Sequence, residues 1–305
     1  METRRIGTLP VSIVGLGCNN FGWRLDAAQS SEVVHAALDA GITFFDTADI
    51  YGRTHSEEFL GRALGRRRSE VVIATKFGMP VDETRRGARP DYVVQAAEDS
   101  LRRLGTDRVD LYQIHQPDPT VPIADTLEAL DKLVKAGKVR EIGCSNFSAD
   151  QLREAESAVR PGAARFVSVQ NEYSLLDREA ERAVIPECEK LGLAFIPYFP
   201  LASGLLTGKY RRGQPPPPGA RLAPGGRFEN TLTEKNLELV EALMQFAESR
   251  RHTLLELAIS WLAARPTVSS VIAGATTSQQ AKMNAAAAGW RLSNTDLAEV
   301  DKILG

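Results

Sequence analysis

The residues of this chain that could carry chemistry are polar side chains at the points where short apolar runs end. Asp46, Lys76 and His115 each close such a run, and five further residues occupy equivalent places: Ser145, Asn146, Gln170, Asn171 and Tyr198. One polar residue of this kind has an ordinary explanation as a loop cap or a structural side chain. A succession of them is poorly explained in that way. If the runs are parallel strands of a barrel, their carboxyl ends meet at one mouth and these side chains converge there.

Three of these residues, Asp46, Lys76 and His115, have together with Tyr51 the chemistry needed to move a proton. Free tyrosine has a pKa of about 10, which makes it a weak acid near neutral pH. The Lys76 ammonium beside Tyr51 would favour the phenolate and lower that pKa, while Asp46 would keep Lys76 charged. His115 would orient a carbonyl oxygen or share the proton. No side chain supplies a hydride, so reduction of the carbonyl implies a nicotinamide.

The remaining strand-end residues suit the nicotinamide itself. Ser145, Asn146 and Gln170 offer hydrogen bonds to a carboxamide, and Tyr198 offers a ring face for stacking. Trp23 and Phe77, together with Tyr51 and His115, would form an aromatic mouth for an aldehyde or ketone. Trp23 is equally consistent with a core or surface position, and Arg53 is more simply explained as a solvated loop residue than as an anchor for an anionic substrate.

Eight β/α units are needed to position these side chains. Eight short apolar or β-branched runs are present: Val14–Gly17, Thr43–Asp46, Val71–Thr75, Asp110–His115, Glu141–Ser145, Phe166–Gln170, Ala194–Phe199 and Ser270–Ile272. The segments between them show helical periodicity and end on glycine: 30–40 at Gly41, 91–104 at Gly105, 125–136 at Gly137 and 182–191 at Gly192. Glycine tolerates the left-handed conformation that closes a helix before the next strand.

This alternation predicts an α/β protein with a single (β/α)8 TIM barrel domain over residues 1–305. A doubly wound open sheet is the alternative. The segment before the first run resembles a β-hairpin, with Arg4–Ile6 and 10–13 as its strands, and it is expected to plug the barrel bottom. A long loop, Arg211–Gly226, follows the seventh run and contains four consecutive prolines.

That loop permits two interpretations. It is either a tolerated surface insertion or a segment that grips a phosphate through its basic residues. Those residues are Lys209, Arg211, Arg212, Arg221 and Arg227.

Composition excludes several other classes of protein. The formal net charge is −2, which gives no reason to expect nucleic acid or an anionic membrane as a partner and does not decide the oligomeric state. Three scattered cysteines in no C-x-x-C pair favour a reducing compartment and argue against a zinc site. The N-terminus has no apolar signal core, and no run approaches the roughly 20 apolar residues of a membrane span. We therefore expect a cytoplasmic protein and, from the cysteine pattern, no metal site.

Two nucleotide-binding motifs are absent. Gly15–Asn20 begins like G-x-G-x-x-G but has Asn20 where the third glycine is required, and no helix follows it directly. The segment 204–209 is too short for a P-loop, and Tyr210 follows its lysine in place of Ser or Thr.

Several runs resemble the signatures of the aldo-keto reductase family, in the same order along nearly the whole chain. They are Gly41–Gly52, Ala74–Lys76, Asp110–His115, Gly143–Phe147, Val169–Tyr173 and Tyr198–Ala202. The resemblance implies a catalytic tetrad of Asp46, Tyr51, Lys76 and His115. It also implies NADPH lying extended over the barrel mouth, with no separate dinucleotide-binding domain.

The resemblance further implies which residues hold the coenzyme. Leu201, Gly204, Leu206 and Lys209 are similar to the segment that covers the pyrophosphate, and a later stretch is similar to the one that holds the adenosine end: Gly274, Thr276, Thr277, Gln280 and Asn284. This sequence departs from the family at two positions: many members have a basic residue at the position of Gln280, which clamps the 2′-phosphate, and a glutamate at that of Met283. Because 274–277 offers amide and hydroxyl donors and the loop arginines offer charge, NADPH remains the expected coenzyme, with NADH as the alternative.

Two other functions fit parts of the sequence. A nicotinamide-binding regulatory subunit with little turnover would retain the coenzyme residues, although the intact tetrad argues against it. A Schiff-base aldolase would use Lys76 as nucleophile and needs a lysine of lowered pKa, whereas a neighbouring Asp46 would act in the opposite direction.

Overall fold

The computed structural model describes residues 1–217, 219–223 and 228–305. The chain opens with a hairpin of two antiparallel strands, β1 (Thr3–Ile6) and β2 (Leu9–Ser12). Eight parallel strands follow: β3 (Val14–Gly17), β4 (Phe44–Asp46), β5 (Val72–Phe77), β6 (Val109–Ile114), β7 (Val139–Ser145), β8 (Phe166–Glu172), β9 (Ala194–Tyr198) and β10 (Val271–Gly274).

The helices cover the outside of this sheet. They are α1 (Ala27–Asp39), α2 (His55–Leu64), α3 (Pro90–Leu104), α4 (Ile123–Lys135), α5 (Ala149–Ser157), α6 (Val184–Leu191), α7 (Glu234–Ser249), α8 (Leu254–Ala263), α9 (Ser278–Ala286) and α10 (Asn294–Leu304). None of the helices within the described ranges is long and apolar enough to cross a membrane.

The sheet closes on itself. Its strand order is β10-β3-β4-β5-β6-β7-β8-β9. At the seam, the Phe195 amide of β9 donates to the Thr267 carbonyl at 2.8 Å, and the Ser269 amide donates back to the Phe195 carbonyl at 3.0 Å. The predicted (β/α)8 barrel is thus confirmed, and the open-sheet alternative is wrong.

The predicted hairpin closes one end of the barrel. Ile6, Leu9 and Val11 are fully buried and form an inner apolar cluster with inward-facing strand residues. The strand members of this cluster are Phe44, Val72, Ala74, Leu111, Ile196 and Ile272. Arg4 fixes the hairpin from outside, because its guanidinium donates to the backbone carbonyls of Ala263, Arg265 and Val268.

Local sequence explains where the helices begin and end. Asp26 caps α1 by accepting from the Gln29 amide at 2.8 Å, and the Gln29 side chain accepts from the Asp26 amide, which forms a capping box. The predicted ends of α3 and α6 are confirmed at Gly105 and Gly192, whose φ angles are +63° and +66°. A side chain at either position would be strained in that left-handed conformation.

The three cysteines lie inside the fold. Cys18, Cys144 and Cys188 are unpaired thiols, and each has 0 % of its surface exposed. The loop after the seventh barrel strand contains no helix or strand within its described part, 211–217 and 219–223.

Candidate functional site

The centre of the barrel mouth is a buried ion pair between neighbouring strands. Asp46 ends β4 and Lys76 lies one residue before the end of β5, where strand alternation turns its side chain inward with Val72 and Ala74. The Lys76 ammonium donates to Asp46 Oδ2 at 2.6 Å and to the Thr47 carbonyl at 2.9 Å, and Lys76 has no exposed surface. Burial opposes the charge on Lys76, but Asp46 and Tyr51 more than compensate, so its pKa is raised.

Tyr51 lies against this ion pair. Its ring is in the turn that follows β4, and the Lys76 ammonium is 5.1 Å from the ring centroid. Burial raises the pKa of Tyr51 above 10, while the positive charge of Lys76 acts to lower it and the negative charge of Asp46 acts to raise it. Lys76 therefore acts on Tyr51 in the expected direction, but the loss of hydration outweighs its attraction for the phenolate, so the net pKa of Tyr51 is raised and not lowered.

His115 faces Tyr51 from the end of β6. The two ring centroids are 5.7 Å apart and the rings are nearly perpendicular. Burial, reinforced by the positive charge of Lys76, lowers the pKa of His115 from 6.5 to about 3. The imidazole is therefore neutral at physiological pH, and its buried Nδ1 atom has no hydrogen-bond partner within the described part of the chain.

Four of the other strand-end residues form one hydrogen-bond network around these groups, whereas the Asn171 amide donates to the Phe147 carbonyl at 2.9 Å. The Gln170 amide donates to Asp46 Oδ1 at 2.9 Å, so this side chain holds the carboxylate of the ion pair. Ser145 Oγ donates to the Gln170 carbonyl at 2.7 Å. The Asn146 amide donates to the His115 carbonyl at 2.9 Å, and Asn146 Oδ1 accepts from the Tyr198 hydroxyl at 2.7 Å.

Gln113 belongs to this network, although the sequence analysis did not select it. Its amide nitrogen approaches Asp46 Oδ1 at 3.5 Å, and its Oε1 atom is buried without a partner among the described residues. The signal that could have found it is the two-residue period of a strand: Gln113 precedes His115 by two positions, and the register pairs it with Lys76.

The two aromatic residues assigned to the substrate mouth have different positions. Trp23 is 61 % exposed and lies in the loop after β3. This loop packs closely against the turn of Tyr51, because a Cβ on Gly52 would lie 2.1 Å from the Phe21 carbonyl oxygen and also meet Gly22. Phe77 does not line the mouth. It directly follows the inward-facing Lys76, so it points to the helix layer, fully buried, and stacks on Tyr112 with centroids 4.8 Å apart.

A second part of the mouth lies after β9. The backbone of Phe199, Ala202 and Ser203 has φ between +44° and +56°, and Gly204 has φ of +101°, so a run of left-handed conformations shapes this turn. Leu201 is partly buried. Leu206 is fully buried in the core and its amide donates to the Leu201 carbonyl at 3.1 Å, so its side chain supports the turn from beneath.

Three cations meet beside this turn without a carboxylate. The positive charges of Arg24 and Arg221 act with burial to lower the pKa of Lys209, and Arg24 does the same to Arg221. Arg221 donates to Asn20 Oδ1 at 2.9 Å, and Arg24 donates to the Gly219 carbonyl at 3.0 Å. Among the described residues no acidic side chain forms an ion pair with any of the three, which we call the cation cluster.

The other basic residues of the loop lie elsewhere. Arg212 forms ion pairs with Glu234 and Glu238 of α7, and Arg211 contacts Met244 of the same helix. Arg227 and the last residues of the predicted loop, 224–226, lie outside the described residues. Arg24, which the sequence analysis did not select, joins the cluster from the loop after β3.

The third part of the mouth is the start of α9. Thr277 caps this helix by accepting from the Gln280 amide at 3.2 Å. Gln280 Oε1 accepts from the Thr276 amide at 2.8 Å, and Asn284 donates to the Gly274 carbonyl at 3.3 Å. Gly274 is exposed at the end of β10, with the side chains of Asn19 and Asn20 beside it.

This arrangement suits proton transfer beside a bound anion. A buried ammonium, a phenol and a neutral imidazole face one space, and backbone amides and cations line its rim. Within the described ranges no group of three or more His, Cys, Asp or Glu side chains is arranged to hold a metal ion.

Comparisons with known proteins show the family of this chain. Residues 13–305 match the model of the Aldo/keto reductase family. The aldo-keto reductase yakc of Schizosaccharomyces pombe, whose name carries NADP(+), is 35% identical over 275 residues, covering 87% of this chain and 80% of the relative. A probable voltage-gated potassium channel subunit beta of Oryza sativa subsp. japonica is 36% identical over 273 residues, covering 85% of this chain and 82% of the relative.

A solved structure extends the similarity to three dimensions. A glycerol dehydrogenase from Gluconobacter oxydans superimposes with a TM-score of 0.86 at 33% sequence identity, covering 99% of this chain and 94% of that one. The family match spans nearly the whole chain, and the named relatives include reductases and a dehydrogenase. The chain belongs to the aldo/keto reductase family and is an oxidoreductase.

Proposed function

We propose that this protein transfers a hydride between NADPH and a small aldehyde or ketone, with Tyr51 as the general acid and base. The observation that carries the proposal is the buried pair of Lys76 and Asp46 beneath the Tyr51 ring, with the neutral His115 opposite. NADPH supplies the hydride when it is bound. The roles of the four side chains follow from their charges.

Tyr51 donates its proton to the carbonyl oxygen as the oxygen gains negative charge. Its raised pKa keeps the phenol protonated at neutral pH, and Lys76 stabilises the phenolate that remains after transfer. Asp46 keeps Lys76 charged, and Gln170 keeps Asp46 in place. His115, being neutral, offers a single ring N–H to the same oxygen without adding a second positive charge beside Lys76.

The coenzyme is proposed to lie over the mouth in contact with its three parts. The nicotinamide end is assigned to Ser145, Asn146, Gln170 and Tyr198, the pyrophosphate to Leu201, Gly204, Leu206 and Lys209, and the adenosine end to Gly274, Thr276, Thr277, Gln280 and Asn284. The cation cluster supports this assignment, because cations that have no carboxylate partner in the described part of the chain, at a rim shaped by left-handed backbone, favour a phosphorylated ligand.

Preference for NADPH over NADH rests on the same cluster. Gln280 contributes no charge, so we assign the charge that would hold a 2′-phosphate to the arginines of the two neighbouring loops, Arg24 and Arg221. The name of the yeast relative carries NADP(+), which is consistent with this preference.

We also infer a small-molecule carbonyl as substrate, Trp23 as part of its pocket, and the cytoplasm as the compartment. The exposed indole beside the turn of Tyr51 offers an apolar wall to an organic substrate. Three unpaired thiols fit a reducing compartment.

The decisive test compares the wild type with Tyr51→Phe. We expect NADPH-dependent reduction of 4-nitrobenzaldehyde, followed at 340 nm, to fall by about 10²- to 10⁴-fold in the variant, since that is the usual contribution of a positioned general acid. NADPH binding, followed by intrinsic fluorescence, should be retained, because the phenol hydroxyl is proposed to act on the substrate. Tyr198→Phe, which removes the hydroxyl bonded to Asn146, is the matched control and should lose much less activity.

The same experiment distinguishes the alternatives. Tight NADPH binding by the wild type without turnover of aldehydes or ketones would favour a nicotinamide-binding regulatory subunit, a function suggested by the channel-subunit relatives. Absence of coenzyme binding would contradict the proposal, and trapping of Lys76 by borohydride would then test the aldolase. The ion pair opposes that function, because Asp46 favours the protonated, non-nucleophilic form of Lys76.

A further inference from the structure

Behind the Tyr51 turn lies a second carboxyl that the reaction does not use. Asp49 is 2 % exposed, and its Oδ1 atom has no hydrogen-bond partner among the described residues. Its Oδ2 atom receives a long contact, 3.4 Å, from the Tyr92 hydroxyl of α3, and the backbone amide of Ile50 also acts on the carboxyl. This poor hydrogen bonding contrasts with Asp46, three residues earlier, whose two oxygens accept from Lys76 and Gln170.

The groups facing Asp49 do not offer it a counter-charge. Glu57 of α2 has no exposed surface, and it accepts from Arg103 Nε at 2.7 Å and from Thr75 Oγ1 at 2.6 Å. Arg103 of α3, whose positive charge acts to lower the pKa of Asp49, is already paired with Glu57. Tyr92 of α3 and Tyr112 of β6 complete the surroundings, and the buried Tyr112 hydroxyl lacks a partner among the described residues.

A carboxylate in this place would be an unpaired buried anion beside a second buried anion. Such a charge is far more costly than a neutral carboxyl with one weak hydrogen bond. Burial, with the negative charge of Glu57 adding to it, raises the pKa of Asp49 from 3.8 to about 7. The proton therefore stays on Asp49 in the folded chain below that pH.

Asp49 is also part of the turn that carries Tyr51. The Asp49 amide donates to the Lys76 carbonyl at 3.1 Å, and the Tyr51 amide donates to the Ala48 carbonyl at 3.2 Å. After Tyr51 the chain continues through Gly52, Arg53 and Thr54 with φ of +57°, +55° and +78°. Two of these three are not glycine, so the turn is strained and depends on its anchors to keep this shape.

We propose that Asp49 is a positioning residue for Tyr51, and that its neutral carboxyl holds the Thr47–Thr54 turn in its working position whereas the ionised carboxyl releases it. The ionised form would move toward water or toward Arg103, and either movement pulls on the amide that is bonded to Lys76. The inference rests on the proposed role of Tyr51, but the state of the turn can be measured without turnover.

The test compares the wild type with Asp49→Asn, which keeps the shape of the neutral carboxyl and cannot ionise. We expect the kcat ratio of variant to wild type to be near 1 at pH 6 and to rise toward about tenfold at pH 8, where about one Asp49 in ten keeps its proton. Taking the ratio at each pH removes the pH dependence that both proteins share. Glu128→Gln, at a partly exposed carboxylate of α4 paired with Lys132 and Arg160, is the matched control and should give a flat ratio.

Amide hydrogen exchange tests the turn independently of activity. Peptides covering residues 47–54 of the wild type should lose protection between pH 6 and 8.5, after correction for intrinsic exchange, while β7 (Val139–Ser145) keeps its protection. Asp49→Asn should keep both. If this variant does not fold, the wild-type comparison of the two peptides remains a sufficient test.

The pH dependence of the free energy of unfolding gives a third test, because the protonation of Asp49 is linked to folding. A carboxyl whose pKa is raised in the folded state binds more protons there than in the unfolded state, so the contribution of Asp49 to stability should be lost as the pH rises from about 4 to about 7. His115 and the other titrating groups act equally in both proteins, so the free energy of unfolding of the wild type relative to Asp49→Asn should fall over this range. A flat kcat ratio together with unchanged exchange of residues 47–54 would overturn the proposal. Turnover by neither protein, with pH-dependent exchange in the wild type alone, would contradict the proposed function while supporting the role of Asp49 in the turn.

Discussion

The two ends of this barrel share eight strands but bury different kinds of side chain, apolar groups at one end and a charged group at the other. At the closed end, Ile6, Leu9 and Val11 of the hairpin fill the interior with apolar side chains that need only shape. At the open end, the ammonium of Lys76 is equally buried, and it is kept there by a carboxylate, a backbone carbonyl and the amides behind them. Stability can be obtained from packing alone, whereas a buried charge requires a complete set of partners.

The difference predicts how each end responds to the loss of one side chain. Truncating a side chain at the apolar end should lower the free energy of unfolding in proportion to the cavity created. Removing a side chain at the polar end should lower both the free energy of unfolding and the activity, because the partners that remain become unpaired. Three changes test this contrast, in order of decreasing expected effect.

The largest effect is expected for Lys76→Met. Removing the ammonium leaves the Asp46 carboxylate buried with only amide partners, so the free energy of unfolding should fall by about 3–5 kcal/mol, and carbonyl reduction should be lost. Urea denaturation and the 340 nm assay measure the two effects. The double variant Lys76→Met/Asp46→Asn removes the unpaired charge and should recover part of the stability without recovering activity. Equal stability of the single and double variants would contradict the argument.

The apolar end should behave differently in Leu9→Ala. Leu9 is fully buried in the hairpin, and its truncation should lower the free energy of unfolding by about 2–4 kcal/mol through lost burial and a residual cavity. The kcat of the folded protein should remain near that of the wild type, since the mouth is at the opposite end. Pro10→Ala on the exposed face of the same strand is the control. A large loss of kcat with unchanged stability would show that the two ends are coupled.

The smallest of the three effects is expected at the rim of the open end. Arg221→Gln removes one member of the cation cluster, and the Kd for NADPH should rise about tenfold, or about 1.4 kcal/mol. Arg212→Gln, taken from the same loop but paired with Glu238 at 3.2 Å, should bind NADPH like the wild type. Fluorescence titration measures both constants. Equal affinities for the two variants would remove the cluster from the proposed coenzyme site.

Sequence reasoning succeeded where a periodic pattern carried the information. The strands and their terminal polar residues follow from runs of apolar residues that recur between helices, and the structure brings Asp46, Tyr51, Lys76 and His115 together as expected. The predicted strand boundaries are less accurate. The strand β7 begins at Val139, two residues before the predicted start at Glu141. The exposed Arg140 interrupts the apolar run in the sequence, although the strand continues through it.

The errors concern the direction of side chains and long-range partners. The sequence predicts Phe77 at the mouth, but Phe77 directly follows the inward-facing Lys76, and adjacent residues of a strand face opposite sides. Arg24 lies far from Lys209 and Arg221 in sequence, so only the fold could bring the three cations together. The pKa of Tyr51 depends on how completely water is excluded, which charges read from a sequence do not show.

The burial of Cys18, Cys144 and Cys188 has a practical consequence. Thiol reagents react with an accessible thiolate, which attacks them as the nucleophile, so the three buried thiols of the native chain should not react. Reaction of these three sulfurs would report opening of the fold. A single new cysteine placed at an exposed position, such as that of Trp23, would then be the one labelled site of the folded molecule. A dye attached there could follow occupancy of the mouth in real time without removing any natural thiol.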